Sequence, residues 1–236
     1  MDTETAPAEG QHVPNLAEQK PYVIEVRIDA PADAVWRAVS DPAEIRRWFG
    51  WDTPSLDEEI QYIFIDHATQ QPPQRLDFGE LQTLDIVPDG SRTVVRLVVA
   101  GGLADARWED LYDAIEEGWR TFFHQLRYYA ERALGRPRRT LYLTGTARAS
   151  AVLAALEAAA PGEPWQSSRH QRAFAPSAGN VGLISLLSPR PLDSDEPAKV
   201  SVTLTTYDLD DDAFAQVQRE WTERWTALVP EGKVSA

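Results

Sequence analysis

The stretch Trp108 to Leu134, WEDLYDAIEEGWRTFFHQLRYYAERAL, constrains what this chain can fold into more than any other. Apolar side chains recur at Trp108, Leu111, Tyr112, Ile115, Trp119, Phe122, Phe123, Leu126, Tyr129, Ala130, Ala133 and Leu134. That is the i, i+3, i+4, i+7 rhythm of one helical face. Glu109, Asp110, Glu116, Glu117, Arg120, Gln125 and Arg127 fall on the other face. At about 1.5 Å per residue the helix runs roughly 40 Å, the breadth of a small domain. A face this broad and aromatic needs an equally broad apolar cover. The plain role for its rings is core packing; the alternative is that part of the face lines a cavity.

The segments before the helix supply a cover. Tyr22 to Ile28 alternates, with Tyr22, Ile24, Val26 and Ile28 on one side, as a strand with one buried face does. Pro31 opens a helix carrying Ala34, Val35, Ala38 and Val39, with Trp36 at its flank. Asp41 caps a second short helix, Pro42 to Trp48, and Trp48-Phe49-Gly50-Trp51 then sets three rings in four residues. Glu59 to Ala68 is rich in β-formers and reads as a strand. Gln70 to Pro73 reads as a loop, and Leu76 to Val87 as a strand bulged or broken at Gly79. Pro88 to Ser91 is a turn, and Thr93 to Val99 is a strong strand. About four strands therefore precede the long helix. Helices on one face of an antiparallel sheet make an α+β fold.

Charge narrows the partners. The formal net charge of −14 repels nucleic acid and anionic membrane, so neither is expected. No apolar run approaches the ~20 residues of a membrane span, so no membrane insertion is expected. The acidic start MDTETAPAEG lacks the build of a signal peptide, and there are no cysteines. Both fit a cytoplasmic location. Met1 to Lys20 is polar and unpatterned and reads as a disordered tail.

A repeat follows. Arg139 to Trp165 aligns without a gap on Tyr22 to Trp48, placing Ala147 on Ala30, Val152 on Val35, Ala155 on Ala38 and Trp165 on Trp48. The apolar phase agrees through most of the alignment. His170 to Pro176, Val181 to Ser188 and Val200 to Tyr207 read as strands. Asp210, Asp211 and Asp212 precede a helix with Phe214, Val217, Trp221, Trp225 and Leu228. That acid run lacks the glycine and closing glutamate of a calcium loop and reads as helix capping, so no metal site is expected. The expected layout is a tail (1–20), a first domain (21–135), a linker (136–138) around Arg136 and Arg138, a smaller second copy (139–230) with a shorter final helix, and a tail (231–236). A single domain with a C-terminal extension is the alternative.

VIEVRIDAPADAVWRAVSDPAEIRRWFG followed by EEGWRTFFHQL resembles the START-like (SRPBCC, helix-grip) superfamily, and most of all its branch named for activators of the heat-shock-protein-90 ATPase. The motifs are Ala30-Pro31 with Val35-Trp36, Asp41-Pro42, Arg47-Trp48-Phe49 and Gly118-Trp119. The resemblance covers roughly Tyr22 to Leu134 and implies a helix-grip fold, in which a curved antiparallel sheet wraps a long C-terminal helix. It implies binding of a small hydrophobic molecule between sheet and helix, with Trp36, Phe64, Leu97, Trp119, Phe123 and Leu126 lining the space. The alternatives it brings are a chaperone-associated interaction module with a protein partner, and a cyclase- or isomerase-like enzyme using Tyr62, His124, Tyr128 or Tyr129 as polar groups.

No nucleophile elbow, phosphate-cradling glycine loop or paired-histidine motif appears, so no catalytic residue and no cofactor is assigned. Of the four histidines, His12 lies in the tail, and His67 beside Asp66 reads as a surface pair. His124 flanks the apolar stripe, and His170 sits between Arg169 and Arg172.

Overall fold

The structure, a computed structural model, describes residues 21–79, 81–100 and 114–236. Met1 to Lys20, and the first part of the long helix from Trp108 to Asp113, lie outside the described residues.

Strand β1 (Tyr22–Ile28) leads through α1 (Ala32–Ser40) and α2 (Pro42–Ile45) to α3 (Leu56–Ile60). Then β2 (Thr69–Gln71), β3 (Arg75–Asp77), β4 (Gln82–Asp89) and β5 (Arg92–Val99) precede α4 (Ala114–Arg132). All pairings are antiparallel, in the order β1-β5-β4-β3-β2. The second half repeats this plan with β6 (Arg138–Ala147), α5 (Ala149–Ala159), β7 (Gly162–Ser167), β8 (Gln171–Pro176), β9 (Leu183–Leu187), β10 (Ala198–Tyr207) and α6 (Asp211–Leu228). Its order, β6-β10-β9-β8-β7, matches strand for strand, and β11 (Lys233–Ser235) is added outside β6. The chain is thus α+β, a sheet-on-long-helix unit built twice. The strand order carries the duplication more firmly than the alanine matches did.

Several expectations are corrected. Glu59 to Ala68 is not a strand: α3 runs on as a π-helical turn, Gln61–Asp66. Leu56, Ile60 and Phe64 are buried while Tyr62 is exposed. A four-residue spacing of buried groups is helical, and it overrode the β propensity of the local residues. Gln70 and Gln71, expected as loop, belong to β2. Leu76 to Val87 is two strands, β3 and β4, with Gly79 at φ +112° between them, a conformation glycine tolerates. The first sheet therefore has five strands, not four.

The second sheet has six strands, one more than the first, and α6 (18 residues) is slightly shorter than the described part of α4 (19 residues). The offset that put Trp165 on Trp48 fails after α5: Trp48 follows α2, whereas Trp165 lies on β7. Residues 231–236 are not a tail but supply β11. Arg138 is no linker residue. It begins β6, is buried, and donates to the carbonyls of Phe49 and Gly50 and to Gln125 Oε1.

Helix α4 is shared by the two halves. Phe123, Leu126, Tyr129 and Ala130 are buried in the first core with β1, β4 and β5. The opposite, more polar face meets β8 and β9. There Thr121 and Gln125 are buried, and the Thr121 hydroxyl bonds Gln171 Oε1. Gln171 Nε2 in turn donates to the Glu117 carbonyl and carboxylate. The second sheet's other face packs on α5 and α6 through Leu141, Leu143, Ile184, Val202 and Trp225. The order of layers is first sheet, α4, second sheet, then α5 and α6. Leaving the Thr121 hydroxyl, the Gln171 amide or the Glu117 carboxylate unpaired would cost about 1–3 kcal/mol each, which is why these three bond one another.

Candidate functional site

Among the described residues, aromatic rings pack against one another between the first sheet and α4. Phe64, Leu97, Phe123 and Leu126 have no exposed surface, and Trp36 packs on the same cluster. Trp48 stacks on Phe123 at 6.5 Å and meets Phe64 edge-on at 5.9 Å, and Phe64 meets Phe49 edge-on at 5.0 Å. These are favoured ring geometries at core density. Of the six residues expected to line a cavity there, Trp119 packs on Phe64 and Phe123 and also borders the cleft described below.

The polar candidates are dispersed. Tyr62 is exposed and lies over the His67 ring, whose Nδ1 is 3.0 Å from the Tyr62 carbonyl oxygen. Tyr129 is a buried hub whose hydroxyl donates to Glu44 and accepts from Gly135 N–H at 2.9 Å. Tyr128 lies between Trp165 and Tyr207 at the seam of the halves. His124 faces a separate groove bounded by β1 and Trp165. Its Nδ1 is buried without a hydrogen bond, and desolvation, with Arg120 and Arg127 adding to it, pulls its pKa down to about 4. It is a neutral ring at physiological pH. His170 is half-buried, with Nδ1 3.1 Å from the Ser188 carbonyl. Among the described residues no group of three or more His, Asp or Glu is placed to hold a metal. Asp210, first of the acid run, caps α6 by accepting from Ala213 N–H at 2.8 Å.

The open site is a cleft of about 430 Å³ between the start of α4 and the second sheet. One wall is aromatic. Phe49 and Phe122 approach at 4.7 Å, Trp119 joins them at 5.8 and 6.2 Å, and Trp51 stands 6.3 Å from Phe122. Trp51 also stacks flat on Tyr142 of β6 at 4.1 Å, closing the wall across the two halves. The floor is the outer face of the second sheet. Tyr142, Thr203 and Ser185 are direct cross-strand partners on β6, β10 and β9, and Ser201 and Leu187 form the next row. Neighbouring strands lie about 4.8 Å apart, so the hydroxyls of Thr203 and Ser185 form a short ladder. Gly118 leaves the cleft open on the helix side, because a Cβ there would meet nothing within 4 Å. Glu59 stands at the rim, its Oε1 accepting from the Ser55 hydroxyl at 2.6 Å.

The helical turn at Gln61–Asp66 builds part of this cleft, since it turns Ile63 toward the opening while burying Phe64. Reading that segment as a strand hid the site. Trp51 and Phe122 were visible as aromatic residues; Tyr142, Ser185 and Thr203 were not singled out. A signal for them existed. VSVTLTTY alternates apolar residues with hydroxyls and carries no charge on its second face. A strand with a neutral hydroxyl face is half-dressed for solvent, and here that face is covered.

No family model matches the chain, and no curated protein matches it. Solved structures do. The di-domain ARO/CYC BexL from the BE-7585A biosynthetic pathway is 16% identical, matching over 89% of this chain and 94% of its own, with a TM-score of 0.37. DynU16, of the dynemicin biosynthetic locus, is 15% identical over 90% of this chain and 97% of its own, with a TM-score of 0.33. The AHSA1-like protein from Rhizobium etli is 22% identical over 50% of this chain and 88% of its own, with a TM-score of 0.31.

Proposed function

We propose that this chain binds a small, flat, mostly apolar molecule in the cleft between its two halves. The observation that carries the reading is the pairing of an aromatic wall with a hydroxyl-bearing floor around about 430 Å³ of open space. Ligand pockets typically enclose about 300–1,000 Å³, are mainly apolar, and hold a few placed polar groups that fix orientation. The rings would stack on a flat molecule, and Thr203, Ser185 and Ser201 would bond groups on its edge. The binding role expected from the resemblance is kept, and its place moves from inside the first core to the opposite side of α4.

Trp51 and Trp119 make the test direct, because a bound aromatic molecule quenches their fluorescence. Native mass spectrometry of gently purified protein and fluorescence titration with flat aromatic probes should both report binding. Gly118→Leu points a side chain into the cleft and favours the helix by roughly 0.5–1 kcal/mol. It should abolish binding without loss of stability. Unchanged binding in Gly118→Leu would overturn the reading.

A further inference from the structure

Resting on that binding role, we infer that the cleft selects flat aromatic cations over neutral and anionic molecules of the same shape. Among the described lining residues the ionisable groups are Glu59 and the Tyr142 phenol; no lysine, arginine or histidine takes part. Aromatic faces carry the negative lobe of the ring quadrupole, and five such rings border the space. The hydroxyls of Thr203, Ser185 and Ser201 accept as readily as they donate, so they serve a ligand's N–H groups. A carboxylate ligand entering here would lose its hydration and meet no counter-charge among the described lining residues.

One feature nearby favours anions in principle, and it is already occupied. The Arg138 guanidinium donates to the carbonyls of Phe49 and Gly50 and to the amide oxygen of Gln125. The net charge of −14 adds long-range attraction for cations.

Three tricyclic probes of one shape separate the possibilities on the full chain at neutral pH: 9-aminoacridine (a cation), acridine (neutral) and acridine-9-carboxylate (an anion). The cation should bind about tenfold tighter than acridine, the scale of a partly desolvated cation–aromatic contact, and the carboxylate weakest. Glu59→Gln keeps the Ser55 hydrogen-bond acceptor. It should weaken the cation about threefold, as for an exposed charge pair, and leave acridine unchanged. Gly118→Leu should remove all of this binding. Cation binding that survives Gly118→Leu is attraction to the acidic surface and overturns the inference. Equal affinity for the three probes, or preference for the carboxylate, overturns the charge selection while the cleft stands as a binding site. Failure of all three to bind removes both.

Discussion

The Trp51 indole and the Tyr142 ring stack with centroids 4.1 Å apart and 5° between their planes, one from each half of the chain. Next to them the Asp52 carboxylate accepts from Thr140 N–H at 2.7 Å, and Asp52 N–H donates to the Thr140 hydroxyl at 2.7 Å. A loop of the first half is thus zipped along β6 of the second. The stack is both a wall of the cleft and part of the joint between halves.

Trp51→Ala and Tyr142→Ala should therefore be coupled. Aromatic pairs contribute about 0.5–1.5 kcal/mol beyond the area they bury. A double-mutant cycle in urea denaturation should return a coupling energy of that size. A coupling near zero would mean that the rings are not in contact in solution.

Arg138→Met tests the joint from the inside. The buried guanidinium satisfies two carbonyls and Gln125, and burial lowers its pKa without a carboxylate bonded to it. Removing it strands those acceptors at about 1–3 kcal/mol each. We expect a loss on the order of 3 kcal/mol in chemical denaturation, and Arg138→Lys should recover only part of it, because an ammonium cannot reproduce the fork.

His124 gives the fold a pH dependence. Its folded pKa of about 4 lies below its ordinary value of 6.5, because burial disfavours the imidazolium and Arg120 and Arg127 repel it. As pH falls, the unfolded chain takes up this proton first. The stability tied to the neutral ring is full above pH 6.5 and is lost as pH falls through about 4. The loss is about 3 kcal/mol across that window. Denaturation midpoints measured from pH 7 to pH 4 should fall less steeply in His124→Gln than in the parent chain. Identical slopes would contradict the burial of this ring.

The π-helical turn makes the sharpest contrast. In a strand Tyr62 and Phe64 would share a face, whereas here Phe64 is fully buried and Tyr62 is 58% exposed. Phe64→Ala should cost about 3–5 kcal/mol. Tyr62→Ala should cost under about 0.5 kcal/mol, as surface changes do. Similar costs at the two positions would restore the strand.

Much of the frame was legible in the residues. Tyr22–Ile28 and Thr93–Val99 alternate because one face of each is buried, and they pair in full register. Asp41 accepts from Ala43 N–H at the start of α2, and Asp210 does the same work at α6, both as local hydrogen-bonding chemistry predicts. The segment from Glu59 to Ala68 was not legible. Its isoleucines and aromatics favour a strand locally, and only burial of Leu56, Ile60 and Phe64 against Trp48 and Phe49 selects the helix.

By itself, then, the sequence determined the class of fold, its duplication, and the need to cover a long aromatic helix, because these follow from period, propensity and capping along the chain. It could not determine what lay on the second face of that helix. Gln125 and Glu117 fall on the polar face in sequence, and polarity is the same whether a group meets water or a partner such as Gln171. Tertiary structure alone filled the first core with Trp48, Phe64 and Phe123 and left the open space on the far side, between Trp119 and Thr203. Where a void remains depends on how rigid layers meet, and that is a property of the assembled shape that no residue carries alone.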